Sequence, residues 1–209
     1  MAYVIEQKKV DISKMKELLP LKTVLKNGQK VQLIRSEEKH HEQMRVVLNG
    51  AIEEGGSYPQ DHTLSPSQFE AYYLAGETFC VVPVDSDDES SQFSKDTVLG
   101  CFYIKPNFPG HCSHICNGGF LTKVEARRQG VASFMGKSYL VLAKILGYKA
   151  SMFNLVFVSN IGSLNLWRSL GFKEIGRIPN AGYYENTGFV DAIQFYYDLD
   201  TIQLDEIRQ

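Results

Sequence analysis

The alternation of apolar and polar residues predicts an ordered series of strands and helices in the first half of the chain. Apolar residues at every second position predict a strand over 31–35, and helical spacing from Met44 onward predicts the helix that follows. A second helix is predicted to begin at Ser65, with proline in its first turn, where the missing N–H costs nothing. The apolar runs 79–82 and 98–104 predict an antiparallel pair of strands.

The second half alternates strands with helices. Its predicted strands cover 118–124, 150–158, 173–178 and 192–197, and its predicted helices cover 130–146 and 161–170. With the elements above, this order indicates an α+β fold. We predict one domain over residues 1–209, in which residues 1–30 form an N-terminal extension.

Length and composition describe an ordinary globular protein. At 209 residues, with 44% hydrophobic and 22% charged residues, the chain can bury one core. A net charge of -2 and an isoelectric point near 6.2 disfavour a nucleic-acid partner. The N terminus lacks the apolar core of a secretory signal, and no run approaches the ~20 apolar residues of a membrane span. We therefore expect no membrane partner and a cytoplasmic location, with a mitochondrial fraction left open.

The cysteines argue against a secreted protein. Four cysteines at irregular spacing are too few for a disulfide framework, and Cys80 and Cys101 lie in apolar runs that predict core positions. The segment 111–116 combines two histidines with two cysteines, which are zinc-ligand types. Structural zinc sites usually join two separated ligand pairs, and a second pair is missing, so we expect a loop without metal.

Two polar features are predicted to be solvated surface. The segment 85–94 is acidic and rich in serine, which is typical of an exposed connection between strands. His40, His41 and His62 fall in polar stretches and are also expected at the surface.

A basic turn with a glycine joins the strand over 118–124 to the long helix. Arg127, Arg128 and Gln129 precede Gly130, and small Ala132 follows it. Backbone N–H groups in the first turn of a helix have no internal partner, and the macrodipole adds partial positive charge, so a pyrophosphate can bind there. The glycine lets the backbone approach the phosphates closely. Alone, this turn is weak evidence, because any basic helix start has the same pattern.

A second motif follows the strand over 150–158. Asn160 begins a short helix, Ser163 follows three positions later, and Gly171 ends the helix before a phenylalanine. Together with the basic turn, this order resembles the GCN5-related N-acetyltransferases, whose cofactor loop reads Gln/Arg-x-x-Gly-x-Gly/Ala. The alternative is that Asn160 is only a helix N-cap.

The resemblance implies a mixed, mostly antiparallel seven-stranded sheet with a splayed central strand pair and flanking helices. Pro109, Gly110, Gly118 and Gly119 would interrupt the ladder where these two strands separate. Acetyl-CoA would be the cosubstrate, without a metal, and its pantetheine arm would pair with the exposed backbone.

Four further segments resemble the fungal azetidine-2-carboxylate N-acetyltransferases, which act on proline analogues. They are 57–60, 102–107, 112–121 and 153–158, within a resemblance that extends over about 51–198. This branch implies transfer of an acetyl group to the ring amine of azetidine-2-carboxylate, a hydroxyproline or a related imino acid, by direct attack in a ternary complex. The expected partner is this small molecule, and a homodimer is left open.

The resemblance also implies the site residues. For the acceptor they are Asn117, Phe120, Asn154 and Leu155. For the cofactor they are Leu121, Thr122, Val124, Arg127, Arg128, Gln129, Gly130, Val131, Ala132, Asn160 and Ser163. Asn154 and a backbone N–H near Leu121 are the candidate catalytic groups. Asn154 also stands out by itself, because an unpaired amide within an apolar strand costs about 1–3 kcal/mol; a satisfied core amide is the alternative.

Trp167 departs from the family pattern. Many members have a tyrosine at this position that protonates the departing thiolate, but an indole N–H is not a usable acid. We therefore expect solvent to supply the proton, and Tyr103, Tyr139, Tyr183 and Tyr184 remain open candidates. Two other functions stay open: acetylation of a polyamine, aminoglycoside or protein amine, and a non-catalytic acyl-CoA-binding module.

Overall fold

The computed structural model describes residues 12–84, 93–185 and 187–203. Residues 1–11, which are predicted to lack a secretory signal, and most of the acidic segment 85–94 lie outside these ranges. The helices are α1 (Ser13–Leu18), α2 (Glu38–Glu54), α3 (Pro66–Tyr73), α4 (Val131–Ile145) and α5 (Ile161–Ser169). The strands are β1 (Leu21–Val24), β2 (Lys30–Arg35), β3 (Glu77–Pro83), β4 (Gly100–Pro106), β5 (Ile115–Asn117), β6 (Phe120–Thr122), β7 (Ala150–Phe157), β8 (Lys173–Tyr184) and β9 (Gly188–Asp198).

The predicted α+β class is confirmed, and the described ranges form a sheet of nine strands instead of the predicted seven. One additional strand is β1, whose four residues alternate between half-buried and exposed and form no apolar run. The other arises because the predicted strand over 118–124 and the residues before it form two short strands, β5 and β6. The two additional strands are thus defined by pairing with neighbouring strands and not by a local pattern of apolar residues.

The sheet is antiparallel except at one position. Its order is β1-β2-β3-β4-β5-β7-β9-β8, with β6 paired to β4, and β5 and β7 run parallel. Helices α2 and α3 cover one face, where Met44 and Tyr73 are buried against the strands. Helices α4 and α5 cover the other face with Met135 and Trp167. None of the helices in the described ranges is both long and apolar enough to cross a membrane.

The expected splay lies between β6 and β7. The parallel pairing of β5 with β7 joins Ile115 to Ala150 and Cys116 to Ser151, and in the described residues it extends no further. Gly118 and Gly119 then separate β5 from β6, which pairs with β4 alone. A gap therefore opens in the sheet beyond these glycines, and we call it the β6–β7 gap.

His40 does not lie at the surface, as its polar neighbours predicted. Its side chain is fully buried, at 0% exposure, in the first turn of α2. Its Nδ1 accepts a hydrogen bond from the backbone N–H of Glu37 at 3.0 Å, which completes a capping box. Burial lowers the pKa of this imidazole, so the neutral form is favoured.

Candidate functional site

The ladder between β4 and β6 shows which backbone groups face the gap. The N–H of Lys123 donates to the carbonyl of Leu99 at 2.9 Å, and the N–H of Tyr103 donates to that of Gly119 at 3.4 Å. Hydrogen-bonded and non-bonded pairs alternate in an antiparallel ladder, and Leu121 lies midway between these two pairs. The N–H of Leu121 is therefore directed to β4 and not into the gap.

Phe120 and Thr122, the neighbours of Leu121, consequently turn their N–H and C=O groups towards the gap. The carbonyl of Phe120 lies 3.5 Å from the hydroxyl of Tyr58, which is its donor. The backbone N–H groups near Leu121 that face the gap are thus those of Phe120 and Thr122, and an oxyanion contact by either stays a prediction. These groups can pair with an extended amide-containing chain that enters between β6 and β7.

The basic turn presents the N terminus of α4 to solvent. Gly130 is the N-cap, with φ of 102°, and no side chain caps the helix. A Cβ at Gly130 would meet nothing within 4 Å, which leaves room for a ligand against the backbone. The helix therefore has the open backbone N–H groups that a phosphate requires.

The side chains of the turn divide into two groups. Arg127 donates to Glu54 at 2.7 Å, and Gln129 accepts from Asn27 at 2.8 Å, so both hold the turn to neighbouring elements. Arg128 has φ of 64° and is exposed. Of the other predicted cofactor residues, Val124 is exposed, Thr122 and Ala132 are half-buried, and Leu121 and Val131 are buried.

Asn160 caps α5, as predicted. Its Oδ1 accepts from the backbone N–H of Ser163 at 3.0 Å, and its Nδ2 donates to Ser57 Oγ at 3.0 Å. The hydroxyl of Ser163 accepts from the indole of Trp167 at 2.8 Å. The cap thus connects the loop after α2 to the far side of the gap, and a cofactor contact by Asn160 or Ser163 stays a prediction.

Three asparagines form one cluster beside the gap, which we call the amide cluster. Asn107 Oδ1 accepts from Asn117 at 2.9 Å and from Asn154 at 2.6 Å, and Asn107 Nδ2 donates to Asn154 Oδ1 at 3.0 Å. Asn154 occupies a register shift in β7, between Phe153 and Val156. The cluster joins Asn117 and Asn154, two of the four predicted acceptor residues, through Asn107, which is only 6% exposed.

Asn107 is the residue that sequence reasoning missed. Its single signal was its position at the end of a segment that carries the family resemblance. The other two predicted acceptor residues lie apart from the amide cluster hydrogen bonds. Phe120 packs its ring against Trp167 at 4.7 Å between centroids, and Leu155 is 38% exposed.

The four candidate acids differ in their surroundings. Tyr139 is buried and bonded to Ser151 at 2.7 Å, and Tyr183 is 63% exposed on the last hairpin. Tyr184 donates to the carbonyl of Tyr58 at 3.2 Å. Tyr103 lies against Gly119, where an added Cβ would approach its ring to 2.5 Å. Burial raises the pKa of Tyr103 well above its ordinary value, so its phenol stays protonated at neutral pH.

The buried cysteines Cys101 and Cys116 are poor candidates for a nucleophile. Cys101 and Cys116 are buried, and desolvation raises the pKa of both thiols to about 12. At neutral pH both remain thiols, which are weak nucleophiles. Cys112 is exposed in a turn, and across the described ranges no three His, Cys, Asp or Glu side chains converge on a metal position.

Comparison with known proteins gives one consistent result. The profile of the acetyltransferase (GNAT) family matches residues 48–172. N-acetyltransferase aca1 of Schizosaccharomyces pombe is 36% identical over 178 residues, which cover 81% of this chain and 85% of that protein. A GCN5-related N-acetyltransferase from Kribbella flavida superposes with a TM-score of 0.70 at 26% identity, over 80% of this chain and 97% of that one. The yncA protein of Salmonella typhimurium, solved with its cofactor acetyl-CoA, superposes with a TM-score of 0.69 at 13% identity, over 82% and 95%.

Proposed function

The chain belongs to the acetyltransferase (GNAT) family and is an acetyl-CoA-dependent N-acetyltransferase, and we propose that its acceptor is the ring amine of a proline analogue. Azetidine-2-carboxylate, a hydroxyproline or a related imino acid would fit this class. The observation that carries the proposal is the amide cluster, which places Asn117 and Asn154 beside the gap. A small polar acceptor can hydrogen-bond to these amides while its nitrogen faces the thioester.

The cofactor binds, in this proposal, from the basic turn to the gap. The pyrophosphate lies at the N terminus of α4 next to Gly130, with Arg128 available to pair with it. The pantetheine arm pairs with the backbone of β6 through Thr122, and Asn160 and Ser163 line its other side. The thioester carbonyl then reaches the N–H of Phe120, which stabilises the oxyanion.

Transfer proceeds by direct attack. The acceptor amine first loses its ammonium proton to solvent, because only the neutral amine has a lone pair for the attack. Its nitrogen forms a bond to the thioester carbonyl carbon while Asn154 orients it. The remaining N–H proton then passes to solvent as the carbon–sulfur bond breaks. The thiolate leaves and takes a proton from solvent. The protonated state of the buried thiols supports this route over an acetyl-cysteine intermediate.

Trp167→Phe is expected to retain most of the activity. Trp167 is 3% exposed and packs on Phe153 at 4.5 Å between ring centroids, so phenylalanine preserves the aromatic contact and loses only the bond to Ser163. The pH profile of kcat should rise with deprotonation of the acceptor and show no falling limb below about pH 10, where an unperturbed tyrosine titrates. A folded but inactive variant, or a falling limb in that range, would contradict protonation by solvent.

The residues of the amide cluster support other classes of acceptor less well. A polyamine or aminoglycoside is cationic and calls for carboxylates, whereas the side chains that hydrogen-bond within the amide cluster are neutral asparagines. A non-catalytic acyl-CoA-binding module would need no acceptor site at all.

Release of CoA, measured with and without an acceptor, tests the proposal. Azetidine-2-carboxylate should stimulate release strongly, whereas spermidine and a lysine peptide should not. Stimulation by spermidine or the peptide alone would assign the other acceptor class. Binding of acetyl-CoA without release by any of these amines would support the binding module.

A further inference from the structure

Lys105 places a positive charge on the α2–α3 face of the sheet. It lies on β4 as the register partner of Asn117, so the two side chains leave the same face. Its Nζ lies 4.2 Å from the ring centroid of Tyr103 and 4.7 Å from that of Tyr72. The same Nζ donates to the backbone carbonyl of Tyr72 at 2.8 Å.

This ammonium has no acidic partner among the described residues. Glu77 on the adjacent strand is held by Arg35, whose Nε donates to it at 2.8 Å. An ammonium has three N–H donors, and Tyr72 accepts from one of them. Burial lowers the pKa of Lys105 to about 8, because a partly desolvated charge lacks a counter-ion. An anionic ligand would supply that counter-ion.

The ammonium belongs to the strand position that pairs with Asn117, a proposed acceptor residue on the same face. The ring of Tyr103 that it covers extends to Gly119, where an added Cβ would lie 2.5 Å from that ring. Gly119 is the residue before β6, at the point where the gap opens, and Asn117 precedes it by two positions. Lys105 and the amide of Asn117 therefore lie on one face of the sheet. The β6–β7 gap, which would hold the acetyl group, begins two residues after Asn117.

We propose that Lys105 binds the carboxylate of the acceptor and so restricts the site to amino and imino acids. The inference rests on the proposed function and adds a charge contact to it. The carboxylate accepts hydrogen bonds from Lys105 and Asn117, and the ring nitrogen is left facing the thioester. A charge-assisted bond is stronger than one between neutral groups, and the same charge repels a polyamine.

Lys105→Met tests this assignment, because methionine keeps the apolar stem and removes the charge. Steady-state kinetics are measured with azetidine-2-carboxylate and with its neutral carboxamide, which carries the same ring amine. The variant should raise KM for the carboxylate by about tenfold or more, the loss expected for one charge-assisted hydrogen bond. KM for the carboxamide and for acetyl-CoA should change by less than about twofold.

Lys149→Met is the matched control, since Lys149 is 62% exposed and pairs with Asp200 away from the gap. It should leave all three KM values unchanged. Equal effects of Lys105→Met on both acceptors, or no effect on either in a folded variant, would overturn the carboxylate contact while leaving the proposed function intact. Failure of the wild-type protein to acetylate both acceptors would overturn the proposed function and this inference together.

Discussion

Gly130→Glu is expected to weaken acetyl-CoA binding by at least about a hundredfold, the largest effect that we predict. Two effects act on binding: a carboxylate near a phosphate repels it by about 1–4 kcal/mol, and the bulk of the side chain fills the space that the phosphate needs. Gly130 has φ of 102° with open space beside it, so the new side chain would occupy the ligand's position without a clash in the protein. Titration of acetyl-CoA by calorimetry measures the loss.

Two controls isolate the effect of the charge. Gly130→Ala carries the same backbone strain with little bulk and should retain much more affinity. Gly188→Glu introduces the same side chain at another glycine of positive φ, 74°, with nothing within 4 Å, and should leave binding unchanged. Unchanged affinity of a folded Gly130→Glu variant would disprove the assignment of the turn.

The second large effect that we predict separates the acceptor residues Asn117 and Asn154 from the cofactor residue Asn160. Asn117→Ala and Asn154→Ala are each expected to lower kcat/KM for the imino acid by about tenfold to a hundredfold, because each removes an amide and leaves a buried partner, Asn107, incompletely bonded. The dissociation constant of acetyl-CoA should stay within about twofold of the wild-type value. Steady-state kinetics with the imino acid give the first number, and titration of acetyl-CoA gives the second.

Asn160 should show the opposite behaviour, but alanine is a poor probe there. It would remove the N-cap of α5, which by itself costs about 1 kcal/mol of stability. Asn160→Ser preserves a capping oxygen and removes the amide, so it should weaken acetyl-CoA more than the acceptor. Equal losses for both ligands in all three variants would contradict separate acceptor and cofactor ends.

Local patterns were sufficient for most of the elements and for the turn and the cap that carry the predicted cofactor residues. Helices α3, α4 and α5 begin within a residue of their predicted starts, and the turn at Gly130 and the cap at Asn160 lie where the motifs indicated. These features depend on residues a few positions apart, since helix ends are satisfied by their own neighbours in the sequence. The family resemblance, which is carried by the same short motifs, also predicted the splayed strand pair of the sheet.

The acceptor side depends on contacts that no local pattern contains. Asn107 meets Asn154 across 47 positions of the chain, and Tyr58 reaches the Phe120 carbonyl across 62. Lys105 follows an apolar run and would pass for an ordinary charged strand end, and His40 was predicted at the surface. A residue type does not reveal whether a neighbouring element covers it. Strand register decides which side chains share a face, and the splay decides which backbone groups stay unpaired. Both are set by pairing between distant segments, so only the folded chain determines the acceptor site.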